Sequence, residues 1–103
     1  MEIELLYCAG CPNWAVAQMR LNEALETVGR LPDSLVRLRA VETDEDARAL
    51  HFSGSPTILI DGRDPFPAPA GSYGLTCRVY PTPDGLAGAP TVHQLVRALT
   101  DFA

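Results

Sequence analysis

The sequence contains no lysine. All eight cations are arginines against thirteen acidic residues, and the net charge of -5 at pH 7 leaves no basic surface for nucleic acid or an anionic membrane to meet. Spanning apolar runs are missing as well. The uncharged stretch between Asp64 and Arg78 is interrupted by Pro65, Pro67, Pro69, Gly71 and Gly74, which excludes a membrane helix. The N-terminus lacks a basic segment followed by an apolar one, so no secretory signal is expected. Cysteine is scarce, with three in 103 residues. A chain of this length is expected to form one domain over residues 1–103 that buries roughly 60–70% of its unfolded surface without disulfide staples or a structural metal. The expected location is the cytoplasm, where closely spaced cysteines are more often catalytic or metal-binding than structural.

Met1 to Tyr7 alternates acidic and apolar residues and then becomes continuously apolar, the pattern of a strand entering a sheet interior. After Cys8-Ala9-Gly10-Cys11, Pro12 suits a first helical turn, and Trp14, Ala17, Leu21, Leu25 and Val28 recur at helical spacing until Gly29. Leu31 to Ser34 reads as a turn, and Leu35 to Val41 alternates as a second strand with its arginines outward. Thr43 or Asp44 caps a short helix with an acidic start, ending near Leu50. Beyond Gly54-Ser55-Pro56, Thr57 to Asp61 is a third strand, closed by the turn signal Asp61-Gly62. A proline-rich excursion from Arg63 to Gly74 precedes a fourth strand, Thr76 to Tyr80, expected to return antiparallel. Pro81 to Pro90 is a loop, and Thr91 with Gln94 forms a capping box for a last helix carrying Val92, Leu95, Val96, Leu99 and Phe102. The order β-α-β-α-β-β-α predicts an α/β fold. Its right-handed parallel crossover and later antiparallel hairpin would make a mixed four-stranded sheet flanked by helices.

Cys8 and Cys11 stand where the first strand hands over to the first helix. Unpaired N–H groups and the positive end of the helix dipole favour a thiolate there, and the thiolate is the form that attacks a disulfide. Two intervening residues allow the Cα separation of about 5.5 Å that a disulfide needs. Cys8 is therefore the expected nucleophile and Cys11, further into the helix and more covered, the resolving thiol.

Cys-Ala-Gly-Cys after the first strand, Gly54-Ser55-Pro56-Thr57 opening the third, and the mixed element order together resemble the thioredoxin superfamily in its small glutaredoxin-like form. The resemblance covers nearly the whole chain. It implies a cis Pro56 facing the cysteine pair, main-chain groups of Ser55 offered to an extended substrate, and a substrate-groove rim at Gly88 and Ala89 within Gly85 to Ala89. It also implies thiol-disulfide oxidoreductase activity with no organic cofactor, a protein or small-molecule disulfide as substrate and a cellular thiol as reductant. Tyr7 stands beside the pair where thioredoxins carry tryptophan, the bridge is Ala-Gly rather than Gly-Pro, and Pro12 follows the second cysteine where a basic residue is common. Redox potential and substrate choice are therefore not implied.

Other residues admit plainer readings. Zinc would need two further ligands from Cys77, His51 and His93, and one Cys-x-x-Cys without a second pair is a poor zinc signature, so no metal site is expected. Soft-metal binding, mercury included, and a catalytically silent adaptor are the alternative functions. Cys77, three residues before Tyr80, would lie about 10 Å from the strand end expected near Pro56, too far for a direct disulfide, and reads as a buried small hydrophobe. Trp14 reads as core, His51 and His93 as surface, and Glu42 to Asp46 as a helix-start charge cluster. The excursion from Arg63 to Gly74 is expected to lie far from the cysteines.

Overall fold

The computed structural model describes residues 2–29, 36–66 and 73–101. The expected turn at Leu31 to Ser34 and residues 67–72 of the proline-rich excursion lie outside them, as does Phe102. Strand β1 (Ile3–Tyr7) is central. It pairs in parallel with β2 (Val36–Ala40), Ile3 opposite Val36 and Tyr7 opposite Ala40, and antiparallel with β3 (Thr57–Ile60), Ile3 opposite Ile60 and Leu6 opposite Thr57. The α/β class and the mixed sheet are as the sequence predicts.

The continuous apolar end of β1 follows from cover on both faces. Ile3 and Leu5 join Ile58 and Ile60 in a core closed by Ala17, Leu21, Ala24 and Leu25 of α1 (Trp14–Thr27) and by Leu95, Ala98 and Leu99 of α3 (Val92–Asp101). Leu6 points the other way, into a smaller cluster with Cys8, Cys11, Val41, Phe52 and Ala47 of α2 (Asp44–Ala49). Period-two alternation sorts the side chains, and each face is buried by its own helices. Arg37 and Arg39 on edge strand β2 face solvent, with Arg39 Nη1 3.4 Å from Glu4 Oε2.

Helix starts follow local chemistry. The Thr43 hydroxyl accepts from the Asp46 amide at 3.0 Å, ahead of an acidic first turn that suits the positive end of the helix. Thr91 and Gln94 form the expected reciprocal box: the Thr91 amide donates to Gln94 Oε1 at 2.9 Å and the Gln94 amide to Thr91 Oγ1 at 3.1 Å.

The second half of the chain departs from expectation. No fourth strand joins the sheet among the described residues; β4 (Tyr80–Thr82) and β5 (Gly85–Ala87) form a separate antiparallel hairpin where a loop was expected. Within the expected strand Thr76 to Tyr80, Cys77 makes an isolated bridge to Ser55, and that bridge is parallel. A short loop after Asp61-Gly62 would have returned the chain antiparallel. The long excursion instead carries it back past the start of β3, and parallel neighbours need a connection of about a dozen residues or more. Gly54 makes this approach possible. A Cβ there would sit 3.0 Å from Arg78 Cβ and 3.1 Å from the Thr76 oxygen, at a φ of +115°.

Arg78 and Tyr80 anchor the returning segment. The buried Arg78 guanidinium donates to Asp64 Oδ2 at 2.6 Å and to the Phe66 carbonyl at 2.9 Å, and lies 4.5 Å from the centre of the Tyr80 ring. Tyr80 donates its hydroxyl to the Pro56 carbonyl. Burial pushes the Tyr80 phenol well above its ordinary range, against the opposing pull of Arg78. The unfolded phenol releases its proton above about pH 10 while the folded one keeps it, so the unfolded state then binds fewer protons and stability falls as pH rises. Denaturant titration should show Tyr80→Phe costing about 1–2 kcal/mol near neutral pH through the Pro56 carbonyl left without its donor. Above pH 10 the variant should lose stability less steeply than the parent, by up to about 1.4 kcal/mol per pH unit.

Candidate functional site

The C-terminal end of β1 delivers Tyr7 and Cys8 to a turn closed by the Cys11 amide donating to the Cys8 carbonyl at 3.2 Å. The Val41 amide donates to Tyr7 O at 2.7 Å, which ties that end to the chain leaving β2. Over the turn lies a cavity of about 780 Å³ lined by Tyr7, Cys8, Cys11, Glu42, Leu75 and Cys77, together with Ala9, Gly10, Ala40, Val41 and Thr76. All three cysteines therefore border one space.

Cys11 and Cys77 are joined in a disulfide with Cα atoms 5.6 Å apart, across 66 residues of sequence. Cys8 is a free thiol, and its Sγ lies 4.0 Å from the carbonyl oxygen of Thr76, the residue before Cys77. This corrects two expectations about Cys77: it is within disulfide reach of the pair, and it is exposed rather than a buried hydrophobe. The distance estimate failed because it measured along a strand in register with Pro56. Tyr80 does meet Pro56, but through the far end of its long side chain, while the backbone of Cys77 itself lies opposite Ser55.

The other expected substrate contacts are placed differently. Ser55 is fully buried, and its main-chain groups are already taken: its amide donates to Thr76 O at 2.7 Å and its carbonyl accepts from the Arg78 amide at 2.9 Å. The edge expected to hold an extended substrate is filled by residues 76–78 of the chain itself. The Ser55 hydroxyl has no hydrogen-bond partner among the described residues. Pro56, after a cis Ser55–Pro56 bond, is buried. Ala89 belongs to the core and its carbonyl accepts from Arg20 at 3.4 Å. Gly88 packs on the Asn13 side chain at the start of α1, which would have to swing aside to admit a Cβ. None of these four residues lines the cavity.

Trp14, expected in the core, is half-buried and stacks on Tyr7 with ring centres 4.8 Å apart. His51 and His93 are exposed as expected, and His51 stacks on Tyr73. The excursion is not remote from the cysteines at its described ends. Asp64 and Phe66 hold Arg78, and the Gly74 amide donates to Phe52 O at 3.1 Å just before Leu75 enters the cavity wall. Among the described residues no group of three or more His, Cys, Asp or Glu side chains is arranged to hold a metal ion. No helix among them is long and apolar enough to cross a membrane.

Sequence reasoning missed Leu75, Thr76 and Glu42 as parts of the cavity wall. An odd cysteine beside a Cys-x-x-Cys pair was the available signal for the first two; nothing in the local pattern around Glu42 separates it from the helix-start cluster that follows. Comparison with protein-family models, curated proteins and solved structures finds no match.

Two measurements test this geometry. The disulfide closes a long loop, so reducing it, or replacing Cys77 by Ser, should lower the unfolding free energy by roughly 2–4 kcal/mol; an unchanged denaturation midpoint would contradict the pairing. Among the described residues, Glu42 is the only carboxylate lining the cavity and no arginine lines it. With the disulfide intact, Cys8 should therefore react faster with neutral iodoacetamide than with anionic iodoacetate, by a larger ratio than a free cysteine shows. Glu42→Gln should narrow that ratio by about two- to fivefold, as expected for a charge on the wall of the same cavity near a protein surface.

Proposed function

We propose that the protein is a thiol-disulfide oxidoreductase with a thioredoxin-like arrangement, in which Cys8 and Cys11 are the working pair. The observation that carries this reading is a free thiol and a disulfide bordering one cavity at a strand-to-helix turn. Exchange needs a thiolate, a disulfide sulfur within its reach and access for a partner, and the free Cys8 and the Cys11–Cys77 disulfide line the same cavity. The parallel β1-α1-β2 unit with β3 antiparallel beside β1 supports the thioredoxin-like reading, since it sets the pair at the end of the central strand and Ser55 close by.

The chemistry needs no organic cofactor. A disulfide substrate takes two electrons from the pair and is released as two thiols, and a cellular thiol in the cytoplasm restores the pair. Cys11 is the pivotal sulfur, because it is bonded to Cys77 while lying one turn from Cys8. The test is reduction of insulin with dithiothreitol as electron source. The protein should accelerate the appearance of insulin turbidity, and a Cys8→Ser, Cys11→Ser double variant should return the rate to that of dithiothreitol alone. A parent protein no faster than that background would overturn the reading.

A further inference from the structure

We infer that Cys77, and neither member of the Cys8/Cys11 pair, is the sulfur that first meets the disulfide substrate; this rests on the oxidoreductase reading above. Access is the first ground. Cys8 and Cys11 are only 6% and 3% exposed, whereas Cys77 is exposed. Exchange rates depend on which sulfur can be approached as well as on thiolate character, and a disulfide on a protein surface is too bulky to reach a covered thiol. Connectivity is the second. Cys77 is already bonded to Cys11, and Cys11 lies one turn from Cys8, so Cys11 can form either of two disulfides, one inward and one outward. The third is placement: the Cys8 thiol points at the Thr76 carbonyl, next to Cys77, within the same cavity.

These facts order the steps. Starting from three thiols, the Cys77 thiolate attacks one sulfur of the substrate R–S–S–R. A Cys77–S–S–R bond forms, and one R–S⁻ leaves and takes up a proton. The Cys11 thiolate then attacks Cys77 Sγ, forming the Cys11–Cys77 bond seen here and expelling the second R–S⁻. The substrate has gained two electrons and two protons, and the protein has lost them. Finally the Cys8 thiolate attacks Cys11 Sγ. The Cys8–Cys11 bond forms, the Cys11–Cys77 bond breaks, and Cys77 returns to the surface as a thiol with no change in oxidation level. The cellular thiol reductant reverses the path: the Cys77 thiolate attacks Cys11 Sγ and releases Cys8, a first reductant thiolate attacks the exposed Cys77 Sγ and releases Cys11, and a second attacks the reductant's sulfur in the mixed disulfide, leaving as the reductant disulfide and freeing the Cys77 thiol. The structure corresponds to the middle species, with Cys8 still reduced.

The test uses the fully reduced protein and a neutral probe, 4,4′-dithiodipyridine, so that charge near Glu42 does not bias the comparison. The variant that keeps only Cys77, Cys8→Ser with Cys11→Ser, should release thiopyridone at least tenfold faster than the variant that keeps only Cys8, Cys11→Ser with Cys77→Ser. An equal or faster Cys8-only variant overturns the assignment. A second measurement needs no substitution: a brief iodoacetamide pulse on the reduced parent protein, followed by peptide mapping, should label Cys77 first, and first labelling of Cys8 or Cys11 overturns it. In single-turnover reduction of insulin, Cys77→Ser should be at least tenfold slower than the parent. Insulin reduction that proceeds at full rate without Cys77 removes Cys77 from the path and leaves the oxidoreductase reading standing. No insulin reduction by the parent overturns both.

Discussion

Residues 76–78 lie against Ser55, and much of the molecule's second half depends on that contact. Two main-chain hydrogen bonds define it, one into the Thr76 carbonyl and one out of the Arg78 amide. The contact buries Ser55, sets Leu75, Thr76 and Cys77 into the cavity wall, and brings Cys77 to Cys11. It also explains why no fourth strand joins the sheet among the described residues. A chain running parallel to the start of β3 meets Pro56 at once, and proline has no N–H to continue a ladder. The chain leaves after one bridge and forms its own hairpin, β4 with β5.

Arginine rather than lysine suits the anchor of this segment. Burying a cation is costly unless its charge and its N–H groups are all met. The planar guanidinium of Arg78 reaches Asp64, the Phe66 carbonyl and the Thr57 hydroxyl while its face rests near the Tyr80 ring. An ammonium is a point charge without that fork or that flat face. The same network fixes the short stretch of the proline-rich excursion that adjoins it, through Asp64 and Phe66, and so couples that excursion to the wall of the cysteine cavity.

The two faces of β1 divide the labour of the fold. One face holds the larger core between α1 and α3, built from aliphatic side chains. The other holds a smaller cluster in which Cys8 and Cys11 pack with Leu6, Val41, Ala47 and Phe52. Apolar surroundings keep both sulfurs covered, and in the proposed exchange this makes an exposed third sulfur useful. In that proposal an inner pair would hold a disulfide away from solvent while Cys77 exchanges with the substrate.

What the sequence determined by itself was local. The apolar spacing of α1, the reciprocal Thr91 and Gln94 cap, the Thr43 cap, the three strands of the sheet and the strand-to-helix setting of Cys8 and Cys11 are each decided within a few residues, because hydrogen bonds and side-chain periodicity act over one or two turns. What only the tertiary structure decided was where the chain goes after Asp61-Gly62. The direction of the strand-like segment around Cys77, the burial of Ser55, Pro56 and Ala89 away from the cavity, and the partner of Cys11 all follow from that path. Nothing local specifies the path. Whether a long excursion returns antiparallel or passes on to run parallel depends on contacts far apart in sequence, here Arg78 with Asp64, Tyr80 with Pro56 and Gly54 with the backbone it admits.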